Sequence, residues 1–352
     1  MDQYSLGFPE SESGVEIEIL KKLFSEKEAA LFTDLTSKLE TPAGVAQRSD
    51  RSIGEVTEML EHMAEKGLVF RKKEDGHVCY SAIPFIHGLL EFQLNHMDKH
   101  LIKLVGRYIQ EKFHDNMTGG FKSFMRTIPI GQSVGTEKRV APYNDAQNIL
   151  REAGLIVVTA CACRTQIALF GKDCDAPKEV CFMFGPMGQY YLDNHMGRRV
   201  GLDEALNILQ SANEAGLVTQ PATAQKPFTM CNCCGCCCGF LRPINKLPNP
   251  ADYVLSHYTA TLSRDACSGC GTCTERCQMR AVQLDDHGIA TIDPKRCIGC
   301  GLCVTTCPEQ AIALKEKPEA EQVVPPENTT EQMVRLSRKR GRDEKQAVTF
   351  GF

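Results

Sequence analysis

The 352-residue sequence has no run of about 20 apolar residues, no net positive charge and almost no cysteine before position 160. The first absence excludes a membrane-spanning helix. The best stretch, GLIVVTACAC from Gly154, is short and ends in cysteines. A net charge of −4 with 24% charged residues removes the global basic field expected of nucleic-acid or membrane-surface binders. The opening MDQYSLGFPESESGVEIE has neither a basic start nor an apolar core of signal-peptide length, so a cytoplasmic location is expected. No Gly-rich phosphate loop, Ser/His/Asp arrangement or dinucleotide fingerprint is present. GPMGQ at Gly185 to Gln189 lacks a third glycine and is not expected to follow a strand. His77, His87, His96, His100, His114, His195 and His257 are not grouped with cysteines at ligand spacing and are expected at surfaces or interfaces.

What is present is cysteine. There are 19, and all but Cys79 lie beyond position 160. Without a secretory signal, such a density points to thiolate ligands for metals and not to a disulfide scaffold. Many clusters in one chain suggest an anaerobic metabolism.

The length suggests several domains. Residues 11–37 carry a helical pattern, TPAGVAQRSD (41–50) a short second helix, and residues 52–68 a third with Ser52 as cap and Gly67 as stop. VFRKKEDGHVCYSAI then predicts two strands around a turn at Asp75-Gly76. This order over 11–84 resembles a winged-helix domain, whose third helix can enter the DNA major groove. Here that helix presents Glu55, Glu58, Glu61 and Glu65, which a phosphate backbone would repel, so nucleic acid is not expected as a partner. Docking or homodimerisation through this domain is the alternative. A long helix over 86–113 is expected next, within a helical connector covering 85–141.

Residues 142–261 predict a cysteine-rich α/β domain. NDAQNILREAGLIVV (144–158) and DEALNILQSANEAGLV (203–218) share a capped helix, a Gly stop and a following apolar strand, with Gly154 and Gly216 as left-handed terminators. Cysteines follow each. Cys161, Cys163, Cys174 and Cys181 form C-x-C-R-x9-C-x6-C, and Cys231, Cys233, Cys234, Cys236, Cys237 and Cys238 form C-x-C-C-x-C-C-C. These ten thiols are candidate ligands for a further iron–sulfur cluster, for structural zinc, or for a catalytic centre with an open position. Neighbours such as Cys236, Cys237 and Cys238 cannot all point at one metal, so several ions or a loop folded around Gly235 are expected. Arg164 can add a positive charge or hydrogen bonds beside such a centre.

The segment Cys267 to Pro308 contains C-x2-C-x2-C-x3-C twice: CSGCGTCTERC and CIGCGLCVTTC, each followed by Ala and Leu (Ala281, Leu284; Ala311, Leu314). This spacing holds cubane iron–sulfur clusters, and residues 262–316 resemble the bacterial two-cluster ferredoxin. The resemblance implies crossed ligation: Cys267, Cys270, Cys273 and Cys307 for one [4Fe–4S] cluster, Cys297, Cys300, Cys303 and Cys277 for the other. Pro308 follows Cys307, but Gln278 follows Cys277, a departure that leaves the ligands intact. Residues 317–352 are charged and predict a disordered tail containing the basic cluster RLSRKRGR.

Taken whole, the expected fold is α+β multidomain: winged-helix-like front, cysteine-rich α/β centre, two-cluster ferredoxin end. The chain resembles a set of dicluster iron–sulfur proteins of anaerobic bacteria that share these parts. That resemblance adds architecture, while the motifs make the leading expectation an electron-transfer protein with two [4Fe–4S] clusters and an additional metal or cluster site, serving a redox protein or oxidoreductase complex. The alternatives are an oxidoreductase with catalysis at the Cys161–Cys238 site and a redox-sensing winged-helix regulator.

Overall fold

The computed structural model describes residues 1–352 except 5, 75, 119–123, 130–140, 173, 349 and 352. Asp75 of the expected turn and residues 119–123 and 130–140 of the 85–141 connector therefore lie outside the described residues.

The front of the chain is helical. The single helix expected over 11–37 is two, α1 (Val15–Leu23) and α2 (Glu26–Asp34), because Ser25 interrupts them with a complete capping box. Its hydroxyl accepts from Glu28 N–H, and the Glu28 carboxylate accepts from Ser25 N–H at 2.7 Å. α3 (Pro42–Ser49) and α4 (Ile53–Glu65) follow, then the hairpin β1 (Phe70–Glu74) and β2 (His77–Ser81). Val15, Ile19, Leu31, Val45, Val56 and Leu60 are buried together between these helices. The long helix expected over 86–113 is not continuous. Residues 85–93 form irregular turns in which His87 adopts φ 54°, and α5 (Lys99–Thr118) begins only afterwards. Gly88 and the left-handed His87 break the helical ladder there.

The centre is one five-stranded antiparallel sheet. Its elements are α6 (Ala146–Glu152), β3 (Ile156–Ala160), α7 (Ala162–Ala168), β4 (Glu179–Phe184), α8 (Gly185–Asp193), β5 (Gly197–Arg199), α9 (Leu202–Glu214), β6 (Val218–Pro221), β7 (Thr229–Cys233) and the short α10 (Leu241–Ile244). The strand order is β5-β3-β4-β7-β6. The two helix–Gly–strand units thus land on opposite sides of the central β4–β7 pair. Gly216 is left-handed at φ 77°, but Gly154 is not, since α6 leaves its last turn through extended Ala153. A strand, β4, does precede GPMGQ, contrary to the sequence expectation.

Side-chain alternation divides the sheet. Ile156, Val158, Phe182, Phe184 and Met230 pack on α6 and α9. Val157, Cys181, Met183 and Cys231 face the other way, toward α8 and the front of the chain. Tyr190 of α8 fixes that contact, its hydroxyl donating to the carbonyls of Ala64 and Val69 at 3.1 Å.

The last third holds β8 (Tyr258–Leu262), α11 (Thr272–Arg276), β9 (Val282–Leu284), β10 (Ala290–Ile292), α12 (Leu302–Thr305) and β11 (Ile312–Glu316). β8 pairs with β11, so this unit begins at Tyr258 and not at 262. The expected disordered tail is also corrected. α13 (Thr329–Lys339) is capped by Asn328, and Met333, Leu336, Val348 and Phe350 are buried in the front core. Its arginines are tied by acids: Arg335 to Glu331, Arg338 to Glu344, Arg340 and Arg342 to Asp2. His257 is buried as well, with Nδ1 3.0 Å from Asn144 Nδ2 and Nε2 2.9 Å from the Val323 carbonyl oxygen. Among the described residues no helix is long and apolar enough to cross a membrane.

Candidate metal centres

In the C-terminal unit the eight cysteines surround two small cavities. Cys267, Cys270, Cys273 and Cys307 line one; Cys277, Cys297, Cys300 and Cys303 line the other. Each motif opens a short helix with a left-handed glycine, Gly271 at φ 78° and Gly301 at φ 76°, a conformation that a Cβ would strain. The repeat continues past the cysteines. Arg280 and Gln310 share a positive φ, and the amides of Ala281 and Ala311 donate to the sulfurs of Cys277 and Cys307 at 3.2 and 3.3 Å. Ala260 N–H gives Cys297 the same contact at 3.3 Å. Amides aimed at sulfur suit thiolate ligands, whose charge they stabilise. Burial pushes the Cys300 thiol up to about 12 without metal, so loading this pocket releases protons. Cys270 of the first quartet is exposed, whereas each cysteine of the second is buried or half-buried.

The ten upstream cysteines come together in two separate groups. Six form a closed ring, each thiol interacting with two neighbours in the order Cys161, Cys163, Cys238, Cys233, Cys231, Cys181 and back to Cys161. The sheet explains it. Cys181 on β4 and Cys231 on β7 are brought side by side by a register that pairs Phe182 with Met230. Cys233 lies two residues further along the same face, Cys161 and Cys163 follow β3, and Cys238 comes from the loop after β7. Hydrogen bonds from Cys163 and Cys181 hold Cys161 well below the ordinary thiol range, and equivalent pairs do so for Cys231 and Cys238. The three donors, Cys163, Cys181 and Cys233, are held well above it by the same bonds and by burial.

The other four, Cys174, Cys234, Cys236 and Cys237, have all their sulfurs within 4.8 Å of one another. Strand alternation separates the groups: Cys233 faces the ring, while Cys234 turns to the opposite side, among Val180, Ala212 and Leu217. Burial raises Cys236 to about 11, helped by its bond to Cys234; burial opposes ionisation of Cys234, but Cys236 and Arg164 outweigh it and lower its pKa. Arg164 is fully buried in α7 between the groups, donating to the Asn232 carbonyl at 3.3 Å and to Cys234 Sγ at 3.8 Å.

The ring borders a cavity of about 120 Å³ whose far wall is the irregular segment after β2. Ile86, His87, Leu90, Glu91 and Leu94 line it there, with Tyr191 from α8. Burial raises the pKa of Glu91 and of Tyr191. Sequence reasoning placed His87 at a surface or interface and did not single out Glu91 or Tyr191. Their spacing carries no signal, since they reach the cavity through a break in the helical pattern and a contact between distant segments.

A sequence profile described as "4Fe-4S dicluster domain" matches residues 260–314. That part of the chain is a 4Fe–4S dicluster domain. The protein therefore carries an iron–sulfur, electron-transferring module in a fold of mixed helix and strand. The match leaves all ten upstream cysteines outside it. Comparison with curated proteins and with solved structures gave no match.

The dicluster domain is joined to the upstream loop by Gln278. Its side-chain oxygen accepts from Gly235 N–H at 2.7 Å, its amide donates to the Gly216 carbonyl at 2.8 Å, and its own carbonyl accepts from Asn245 at 3.0 Å. Arg276 and Arg296 add bonds to the carbonyls of Glu214 and Asn245. Around this seam Met279, Ile298 and Leu302 share one apolar cluster with Cys233, Cys238, Phe240 and Leu241, and Cys277 and Cys300 pack against it.

Proposed function

We propose that the protein transfers electrons between an external redox partner and the buried upstream thiol centre, through two [4Fe–4S] clusters of the dicluster domain. The observation that carries this reading is the seam: Cys277 and Cys300 of the second quartet pack against the same apolar cluster that contains Cys233 and Cys238 of the ring. The clusters, when bound, supply reversible one-electron chemistry. The chain's own residues hold them, give their sulfurs amide hydrogen bonds, and keep water from the seam. The exposed Cys270 edge is the side on which a redox protein would dock. Two quartets fit two cubanes with crossed ligation, Cys307 serving the first pocket and Cys277 the second.

The test is an anaerobic redox titration followed by EPR. Two reducible cubane signals per chain are expected from the domain, with Cys273→Ser and Cys303→Ser each abolishing a different one. A single signal, or the same signal lost in both variants, would refute the assignment.

A second reading, oxidation or reduction of a small molecule at the ring, is favoured by the cavity itself. It places Glu91, Tyr191 and His87 beside the thiols, within a wall that also includes the apolar Ile86, Leu90 and Met183 and the polar Thr159, Arg164, Gln166 and Gln220. Under this reading those three groups bind or exchange protons with a small, mostly apolar substrate. A DNA-binding role finds little support, since Arg48, Arg51 and Arg71 are engaged by Glu40, Asp34 and Glu61.

A further inference from the structure

The ten upstream cysteines have more ligands than one centre can use, and the fold sorts them. A single tetrahedral ion takes four thiolates at about 2.3 Å, which places the sulfurs about 3.8 Å apart. The Cys174, Cys234, Cys236 and Cys237 sulfurs meet that requirement, all within 4.8 Å of one another and with Cys236 and Cys237 3.6 Å apart. Sulfurs of a cubane each bind a different iron and must stand further apart. The dicluster quartets provide the comparison inside the same chain. Among the described residues neither they nor the ring contain three sulfurs as tightly grouped as the Cys174 set.

The ring is the opposite case. Six thiols exceed what one ion or one cubane takes, and they border a cavity of about 120 Å³, against about 20 Å³ for each dicluster pocket. Protein interiors do not leave such a space beside polar groups without an occupant. The six ring thiols, on a wall of mixed apolar and polar side chains that Cys234 and the Arg164 guanidinium also reach, form a site for a sulfur-loving metal group larger than one ion.

We infer that the upstream cysteines form two distinct inorganic centres: a single zinc ion held by Cys174, Cys234, Cys236 and Cys237, and a polynuclear iron–sulfur cluster held by the ring of Cys161, Cys163, Cys181, Cys231, Cys233 and Cys238. Zinc suits the first because its four-thiolate shell is closed and leaves no position for a substrate. It clamps the 174 loop to the strand end after β7. Arg164, donating to Cys234, ties the two centres together electrostatically. The part of this inference that concerns the ring deepens the electron-transfer reading by naming the acceptor at the end of the path; the zinc site stands independently of it.

The test uses the full chain purified anaerobically, with iron and zinc quantified and X-ray absorption recorded at both metal edges. Expected are about one zinc per chain with four sulfur neighbours at about 2.3 Å and no iron nearby, and about twelve or more irons, of which about eight belong to the dicluster domain. Cys174→Ser is expected to lose the zinc and keep the iron; Cys181→Ser to keep the zinc and lose iron above the dicluster complement. Zinc absent, zinc with non-sulfur or iron neighbours, iron limited to about eight per chain, or both variants losing the same metal would overturn the inference. The wild-type absorption data decide it even where a variant does not fold. Failure of the dicluster reading is recognised separately, through Cys273→Ser and Cys303→Ser, which belong to the dicluster domain's own apolar cluster and not to the seam.

Discussion

Gln278 occupies the position that in the second half of the ferredoxin repeat is held by Pro308, and its two side-chain hydrogen bonds, to Gly235 and Gly216, explain the difference. Proline has no side-chain donor or acceptor, so the second half-motif can end in it only where nothing needs to be joined. At Cys277 the loop must meet the upstream thiol domain, and Gln278 serves Gly235, Gly216 and Asn245 at once. Gly235 is the matching residue. A Cβ there would lie 2.5 Å from the Gln278 carbonyl oxygen, which is backbone and cannot swing away. Gln278→Ala leaves the Gly235 amide and the Gly216 carbonyl short of partners and is expected to destabilise the seam by about 1–3 kcal/mol. Gly235→Ala forces the two loops apart at a similar cost, about 1–3 kcal/mol. Both should lower the thermal midpoint while the visible absorption of the dicluster domain persists at low temperature. An unchanged midpoint in both would show that the seam does not hold the domains together.

Among the elements, α2 and α4 are held by a charged clamp whose pH response can be worked out. Glu28 is buried, which by itself would raise its pKa, but Lys66 at 2.7 Å and the Ser25 amide and hydroxyl outweigh burial and lower it. A carboxyl whose pKa is lowered by folding stabilises the fold at pH values above the unfolded value and loses that contribution as pH falls through the folded one. The wild type should therefore lose stability below about pH 4.5, the ordinary carboxyl value. Glu28→Gln should be less stable by about 1 kcal/mol at neutral pH, because Lys66 is partly solvated, and should show a shallower acid decline. Equal slopes in an acid titration of both proteins would contradict this. The same elements show what a sequence makes legible. The α3, α4 and β1–β2 order, the ferredoxin spacing and the apolar strands β3 and β6 follow from local periodicity and could be read directly. The break at Ser25 was written in a capping box that the apolar pattern ran across. The turns at 85–93 depend on His87 taking a positive φ, which no periodicity announces. The sorting of cysteines into six and four depends on the face of β7 that carries Cys231 and Cys233, on the course of the loop after it, and on strands distant in sequence. Motif spacing could not supply that, although it did indicate that three consecutive cysteines could not share one metal.

At the scale of the whole molecule, the chain's two ends and its middle share one core, and this sets the stability of the cavity wall. Phe350 sits 5.5 Å from Phe70 of β1 and 5.4 Å from Phe228, ring centre to ring centre, while Met333 and Leu336 of α13 are buried in the same cluster. The tail was misread as disordered because its composition was judged alone. Five buried apolar residues, Met333, Leu336, Ala347, Val348 and Phe350, suffice when the surface they cover is built by other segments. Gln332 adds a 2.7 Å bond to the Phe124 carbonyl, and the 325–327 stretch pairs with Gln225 and Lys226. Fully burying each such side chain contributes about 1.5–3 kcal/mol, so a chain ended at residue 326 should lose several kcal/mol from the front core. The expected outcome is early thermal melting and proteolysis of the segment before residue 113, with the iron–sulfur absorption of residues 260–314 retained, since no buried residue of that unit's own apolar cluster comes from the tail. Phe350→Ala should reproduce the effect at reduced size, about 3 kcal/mol, the usual cost of removing a buried phenylalanine. A truncated protein with unchanged melting and proteolysis would mean that the tail merely rests on the core. Early melting of the front core with loss of signal from the upstream ring, and retention of the dicluster signal, would instead link that core to the cavity through the segment carrying His87 and Glu91.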